Sequence, residues 1–251
     1  MARKSKIEWT EMTWNPVAGC TKVSPGCAHC YAETMAHRLH LMGNARYRNG
    51  FRLTLHDDLV NLPTRWKTPR IVFVNSMSDL FHERIPIGFI RRVFETMRRC
   101  PQHQFQVLTK RAERLAEIVD RLDWCDNIWM GVSIENQRYA YRAELLAQVP
   151  AAVRFLSLEP LLGQIDDLPL KGIHWVIVGG ESGWRARPMR REWVESILEQ
   201  CHQAKAPFFF KQWGGVQKHL TGRELNGRTY DEMPVPRSAP GRTIQLPLLP
   251  V

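Results

Sequence analysis

Six short runs of apolar, β-prone residues, at 71–75, 105–109, 128–133, 153–158, 174–178 and 207–211, constrain the fold more than any other feature of the sequence. Each is apolar at nearly every position, the pattern of a strand buried on both faces of a parallel sheet. A further extended segment is expected at 13–17. Between the runs lie stretches with a 3.6-residue apolar spacing, at 86–100, 112–122, 137–148 and 191–204. In the first of these Ile87, Phe89, Ile90, Val93, Phe94 and Met97 share one face. Strand–helix alternation of this length predicts an α/β fold, as a partial or closed (β/α) barrel. A doubly wound open sheet is the alternative.

The alternation stops near residue 216. Glu224-Leu225-Asn226-Gly227-Arg228-Thr229-Tyr230 has the Asn-Gly pair of a tight hairpin. Pro234, Pro236, Pro240, Pro247 and Pro250 then make an irregular tail. The expected division is a barrel domain over 1–215 and a C-terminal extension of hairpin and proline-rich tail over 216–251. Polar residues gather just after the apolar runs, where the carboxyl ends of parallel strands build sites.

Three of the six cysteines, Cys20, Cys27 and Cys30, fall within eleven residues, in Gly19-Cys20-Thr21-Lys22-Val23-Ser24-Pro25-Gly26-Cys27-Ala28-His29-Cys30. In a reducing compartment such a cluster reads as metal ligation rather than a disulfide framework. Thiolates suit an iron–sulfur cluster or zinc. Three cysteines on a cubane [4Fe–4S] cluster would leave one iron open to a small molecule. A structural zinc would need His29 as fourth ligand, although its place inside the Cys-x-x-Cys pair turns its side chain away. A chance grouping of structural cysteines is the third reading. Cys100, Cys125 and Cys201 read as small packed side chains.

The net charge of +10 points to a polyanionic partner, DNA, RNA or a nucleotide. Arg185, Arg187, Arg190 and Arg191, with Trp184 and Trp193, follow the Gly179-Gly180-Glu181 loop and could grip phosphates and stack on a base. A solvated basic helix start is the plainer reading of the same residues. The basic stretch at residues 1–6 is followed by no apolar run, and no stretch is apolar and long enough for a membrane span. A cytoplasmic location is expected.

The cysteine segment, with Trp9-Thr10, Trp14-Asn15-Pro16 and Cys30-Tyr31-Ala32-Glu33, resembles a family of phage and prophage proteins defined by a three-cysteine motif and similar to radical S-adenosylmethionine (SAM) enzymes. The likeness continues through Asn75-Ser76-Met77-Ser78-Asp79, Leu108-Thr109-Lys110-Arg111, Gly131-Val132-Ser133, Leu158-Glu159-Pro160, Gly179-Gly180-Glu181-Ser182 and Lys211-Gln212-Trp213-Gly214. Thr109-Lys110 also resembles a short motif of spore photoproduct lyase. The cysteine spacing departs from the Cys-x3-Cys-x2-Cys of most radical SAM enzymes, six residues separating Cys20 from Cys27.

The resemblance implies a [4Fe–4S] cluster on Cys20, Cys27 and Cys30, with SAM on the open iron. Reductive cleavage would then give a 5′-deoxyadenosyl radical, for modification or repair of nucleic acid or a nucleotide-derived substrate. It implies Lys110 for the SAM carboxylate, Ser76, Ser78 and Asp79 for its amino group, Ser133 and Glu135 for the ribose, and Tyr31 beside the cluster and adenine. A reductant such as flavodoxin or ferredoxin and a partner protein associated with the three-cysteine family are implied as well. Two other classes stay open from the residues: a nucleic-acid-binding protein with structural zinc, and a redox iron–sulfur protein without SAM chemistry.

Overall fold

The computed structural model of the chain describes residues 7–234. Its elements in order are β1 (Met12–Trp14), β2 (Val17–Ala18), α1 (Tyr31–Leu41), β3 (Thr54–Leu55), α2 (Asp57–Val60), β4 (Ile71–Val74), α3 (Ile87–Arg98), β5 (Gln104–Thr109), α4 (Ala112–Ile118), β6 (Ile128–Ser133), α5 (Tyr141–Ala147), β7 (Val153–Leu158), β8 (Trp175–Gly179), α6 (Arg191–Ala204), β9 (Phe208–Gln212) and α7 (Lys218–Thr221). Seven strands form one parallel sheet in the order β1-β4-β5-β6-β7-β8-β9. The sequential order has no point where the winding reverses, so the fold is not the doubly wound alternative. The sheet curls into a half-barrel whose outer strands, β1 and β9, do not pair with each other. Strands β2 and β3 form a separate antiparallel pair.

Alternation along the strands divides the interior in two. Val72, Val74, Phe105, Val107, Met130, Val132, Leu156, Val176 and Phe208 face the helices and pack with Ile90, Val93, Met97, Leu146 and Ile197. The opposite parity lines the concave face. There Trp129, Phe155, Trp175 and Phe209 pack with Trp9 and Phe73 into an aromatic plug. The centroids of Trp9 and Phe73 lie 4.8 Å apart. Further along the same strands the concave parity turns polar, at Ser133, Ser157 and Lys211. Gly131 sits at the transition because a Cβ there would lie 2.4 Å from the Phe155 ring. The concave face is therefore dry at one end and polar at the carboxyl end.

Several boundaries differ from the sequence expectation, each for a local reason. The extended segment at 13–17 is two strands: β1 ends at Trp14, and Val17 leaves the large sheet to pair with Leu55. The strand at 71–75 ends at Val74, because Asn75 adopts φ +61° and its Oδ1 accepts from Val17 N. The helices at 112–122 and 137–148 each carry a 3-10 turn, at Val119–Arg121 and Gln137–Tyr139. Asn226 and Gly227, at φ +54° and +75°, make a tight turn between Leu225 and Arg228. Within the proline-rich tail only Pro234 lies inside the described residues.

Candidate active site

The cysteine loop crosses the carboxyl end of the half-barrel, and three buried carboxylates hold it there. Asp79, Glu135 and Glu181 follow β4, β6 and β8, the second, fourth and sixth strands of the sheet. Their exposures are 7%, 0% and 5%. A buried charge needs a full set of partners, and each of these finds part of its set on or beside the loop.

Asp79 acts through Arg111. Its carboxylate accepts from Phe81 N (2.9 Å), Thr109 Oγ1 (2.7 Å), Lys110 N (3.0 Å) and Arg111 Nη1 (3.1 Å). The Arg111 guanidinium is 4% exposed and also donates from Nε to Glu83 (2.8 Å). Its Nη2 donates to the carbonyl and hydroxyl of Thr21 at 3.1 and 3.0 Å, and its Nη1 lies 3.5 Å from Cys20 Sγ. Glu135 touches the loop directly. It accepts from Ser24 Oγ (2.5 Å), Lys110 Nζ (2.9 Å) and Arg142 Nη1 (3.1 Å). Gly26 is required beneath it, since a Cβ there would lie 2.6 Å from Glu135 Oε1. Glu181 accepts three bonds from Arg187, through the backbone N, Nε and Nη2, and stands 3.1 Å from His29 Nδ1. Arg187 Nη2 then donates to the Pro25 carbonyl at 2.9 Å. Burial alone would raise the Glu181 carboxyl, but Arg187 and His29 hold it down at about 2.

A second polar pair faces the mouth from later strands. Lys211 on β9 reaches Glu159 at 2.7 Å, and Ser157 Oγ donates to the same carboxylate at 3.0 Å. Glu159 spans β8 because Gly179 leaves the space empty; a Cβ there would lie 2.8 Å from Glu159 Oε1. Burial opposes the Lys211 ammonium, but Glu159 outweighs it and keeps Lys211 above its usual range. Tyr31, exposed at the start of α1, lies close enough to Lys211 to feel its charge.

All three loop thiols are free and half-buried. Burial, with the nearby Asp79 charge, raises the Cys20 thiol to about 11, against the pull of Arg111. Burial raises Cys30 as well. Among the described residues no three His, Cys, Asp or Glu side chains converge on one metal-ion position. The thiolates of a cubane bind different irons and only need to ring a larger object than a single metal ion.

The residues singled out from sequence are placed as follows. Lys110, Asp79 and Glu135 share one network. Ser76 donates to Asn15 Oδ1 and Ser78 to the Val17 carbonyl, both at the β1–β2 corner. Ser133 is buried at the end of β6. Arg187 spends its guanidinium on Glu181 and the loop. Trp184, Arg185, Arg190 and Arg191 are exposed on the rim, where Arg191 donates to Asn226. Sequence reasoning missed Arg111, Ser24, Arg142 and the Glu159–Lys211 pair. A buried Arg two residues after a strand carries no pattern of its own.

The model of one protein family matches residues 4–234, and its description is "Protein of unknown function (DUF5131)". The chain belongs to that family. That description mentions neither a phage origin nor a three-cysteine motif. No curated protein matches this DUF5131 chain. Among solved structures, spore photoproduct lyase complexed with dinucleoside spore photoproduct aligns at TM-score 0.48 and 13% identity, covering 80% of this chain and 63% of that one. A double mutant of that lyase with bound AdoMet and the dinucleoside aligns at TM-score 0.48 and 12% identity, with the same coverage. A single cysteine mutant aligns at TM-score 0.49 and 14% identity, covering 71% and 58%. This chain spans 63% of the length of the first of them. Among the described residues no helix is long and apolar enough to cross a membrane.

Proposed function

We propose that the chain is a radical SAM type iron–sulfur enzyme that modifies or repairs nucleic acid or a nucleotide-derived substrate. The observation that carries this reading is the seating of the three-thiol loop across the polar mouth of a half-barrel by carboxylates from alternate strands. A structural metal loop needs no such site beneath it. Here Ser24 of the loop joins the Lys110–Glu135 pair at 2.5 Å.

Cys20, Cys27 and Cys30 would hold a [4Fe–4S] cluster with one iron open. When bound, the cluster and SAM would supply a 5′-deoxyadenosyl radical by reductive cleavage. Lys110 offers its ammonium to the SAM carboxylate, with Glu135 fixing its position. Ser133 is assigned to the ribose, Ser76 and Ser78 to the amino-group side, and Tyr31 to the adenine. The Trp9–Trp175 aromatic plug closes the floor and excludes water from that direction. Arg111 and Arg187 fix the loop rather than touching substrate. The rim arginines Arg185, Arg190 and Arg191, with Trp184, face a polyanion. A reductant of the flavodoxin or ferredoxin class completes the requirement.

The test is cluster assembly in single variants under anaerobic reconstitution. Cys27→Ala is expected to abolish bound iron and sulfide, and Cys201→Ala, on the buried face of α6, to leave both unchanged. Loss in the second and retention in the first would remove the ligand assignment.

A further inference from the structure

A cavity of about 480 Å³ opens beside the candidate active site, walled by Ala186, Pro188, Met189 and Trp213 and floored by Gly214-Gly215. Its size falls within the range of small-ligand clefts, roughly 300–1,000 Å³. Gly214 is glycine because the two loops pack closely there: a Cβ would lie 2.3 Å from the Glu181 carbonyl. The Ser182–Gly215 bridge and the Gly183 N→Gly215 O bond join the two loops that make it. Trp184, next to that bridge, is 85% exposed, a large apolar face left in water.

The charges around it sort into two groups. Arg187 lines the cavity, but its guanidinium is committed to Glu181 and the Pro25 carbonyl. Arg185, Arg190 and Arg191 are exposed on the rim, and Arg191 also donates to Asn226 at 2.9 Å and lies 3.7 Å from Glu195. The Arg191 guanidinium lies 5.8 Å from the Trp213 ring centroid, and Arg190 lies 5.5 Å from that of Trp193. A mostly apolar cavity beside Trp213, with arginines around it and the exposed Trp184 indole nearby, suits a planar base with phosphates around it.

We infer that this cavity is a nucleobase subsite for single-stranded polynucleotide, seating a base next to the reacting one. The inference rests on the nucleic-acid part of the proposed function and names its substrate class. Arg187 connects the two places physically, since one residue lines the cavity and holds the cysteine loop. A strand with a base in the cavity therefore runs against the mouth of the half-barrel. An acidic peptide would satisfy the rim charges but leave the cavity and Trp184 unused.

The test is fluorescence anisotropy of the full chain with a short fluorescein-labelled oligothymidylate over a range of salt, on protein with and without reconstituted cluster. Trp184→Ala and the cavity-filling Ala186→Phe are each expected to weaken binding roughly tenfold, leaving the salt slope unchanged. Arg185→Ala is expected to make the slope shallower by about 0.7. Thymidine monophosphate should compete only weakly. The inference is overturned if both Trp184→Ala and Ala186→Phe bind like the parent, if the monophosphate competes as well as the oligomer, or if polyglutamate competes equally. Binding through this cavity by protein that assembles no cluster would keep the inference and overturn the radical SAM reading.

Discussion

Replacing Arg111 with Met should destabilise the protein by about 3 kcal/mol and loosen the cysteine loop. Arg111 and Asp79 are 4% and 7% exposed, and their ion pair is 3.1 Å long. Removing one partner of a buried pair costs about 3–5 kcal/mol, because the other charge stays buried without its counter-ion. Asp79 would keep the donors Phe81 N, Thr109 Oγ1 and Lys110 N, which sets the cost at the lower end. The Glu83 arm adds little, since its side chain is 58% exposed. For a domain of this size each kcal/mol moves Tm by about 2–4 °C, so the expected fall is roughly 6–12 °C. Circular-dichroism melting of the cluster-free protein measures it. A cycle with Asp79→Asn should show the double variant losing less than the sum of the singles. A melting point within about 2 °C of the parent, or strict additivity, would refute the argument that this pair anchors the loop.

Two other outcomes follow from the same geometry. Glu181 has its carboxyl depressed from 4.5 to about 2, so its stabilisation is complete above the unfolded value and is lost as pH falls from 4.5 towards 2. The difference amounts to about 3 kcal/mol. Glu181→Gln should be less stable than the parent at neutral pH, with the gap narrowing through that window in acid melts; a constant gap would contradict the assignment. Gly131→Ala should cost about 1–3 kcal/mol by forcing a Cβ against the Phe155 ring. Adding Phe155→Leu should recover part of the loss in denaturant titration, and no recovery would place the strain elsewhere.

The architecture was legible because its signals are local. Apolar runs as long as a strand and helices with a 3.6-residue stripe specify a parallel sheet without knowledge of any long-range contact. Strands β6 and β7 match the residues 128–133 and 153–158 read from the pattern, and α6 matches 191–204. The cysteine loop stood out because three thiols fall within eleven residues. The support for that loop did not. Glu135 and Ser24 lie 111 residues apart and Arg187 and Pro25 lie 162 apart, and no spacing rule connects such pairs. Helix α1 was missed for the opposite reason: only Ala32 and Ala36 are buried on it, so its apolar stripe is too weak to read. Arg187 shows how chemistry and role part company. Its charge suggested a phosphate contact, whereas its neighbours Glu181 and Pro25 make it a tie between two loops.

The most direct test of the central claim is electron paramagnetic resonance of the anaerobically reconstituted and reduced protein, with and without SAM. The account predicts a cubane signal that shifts when SAM is added, together with 5′-deoxyadenosine in the quenched mixture. One tightly held zinc and no cubane signal would mean that Cys20, Cys27 and Cys30 build a structural site, and the radical SAM reading would fall.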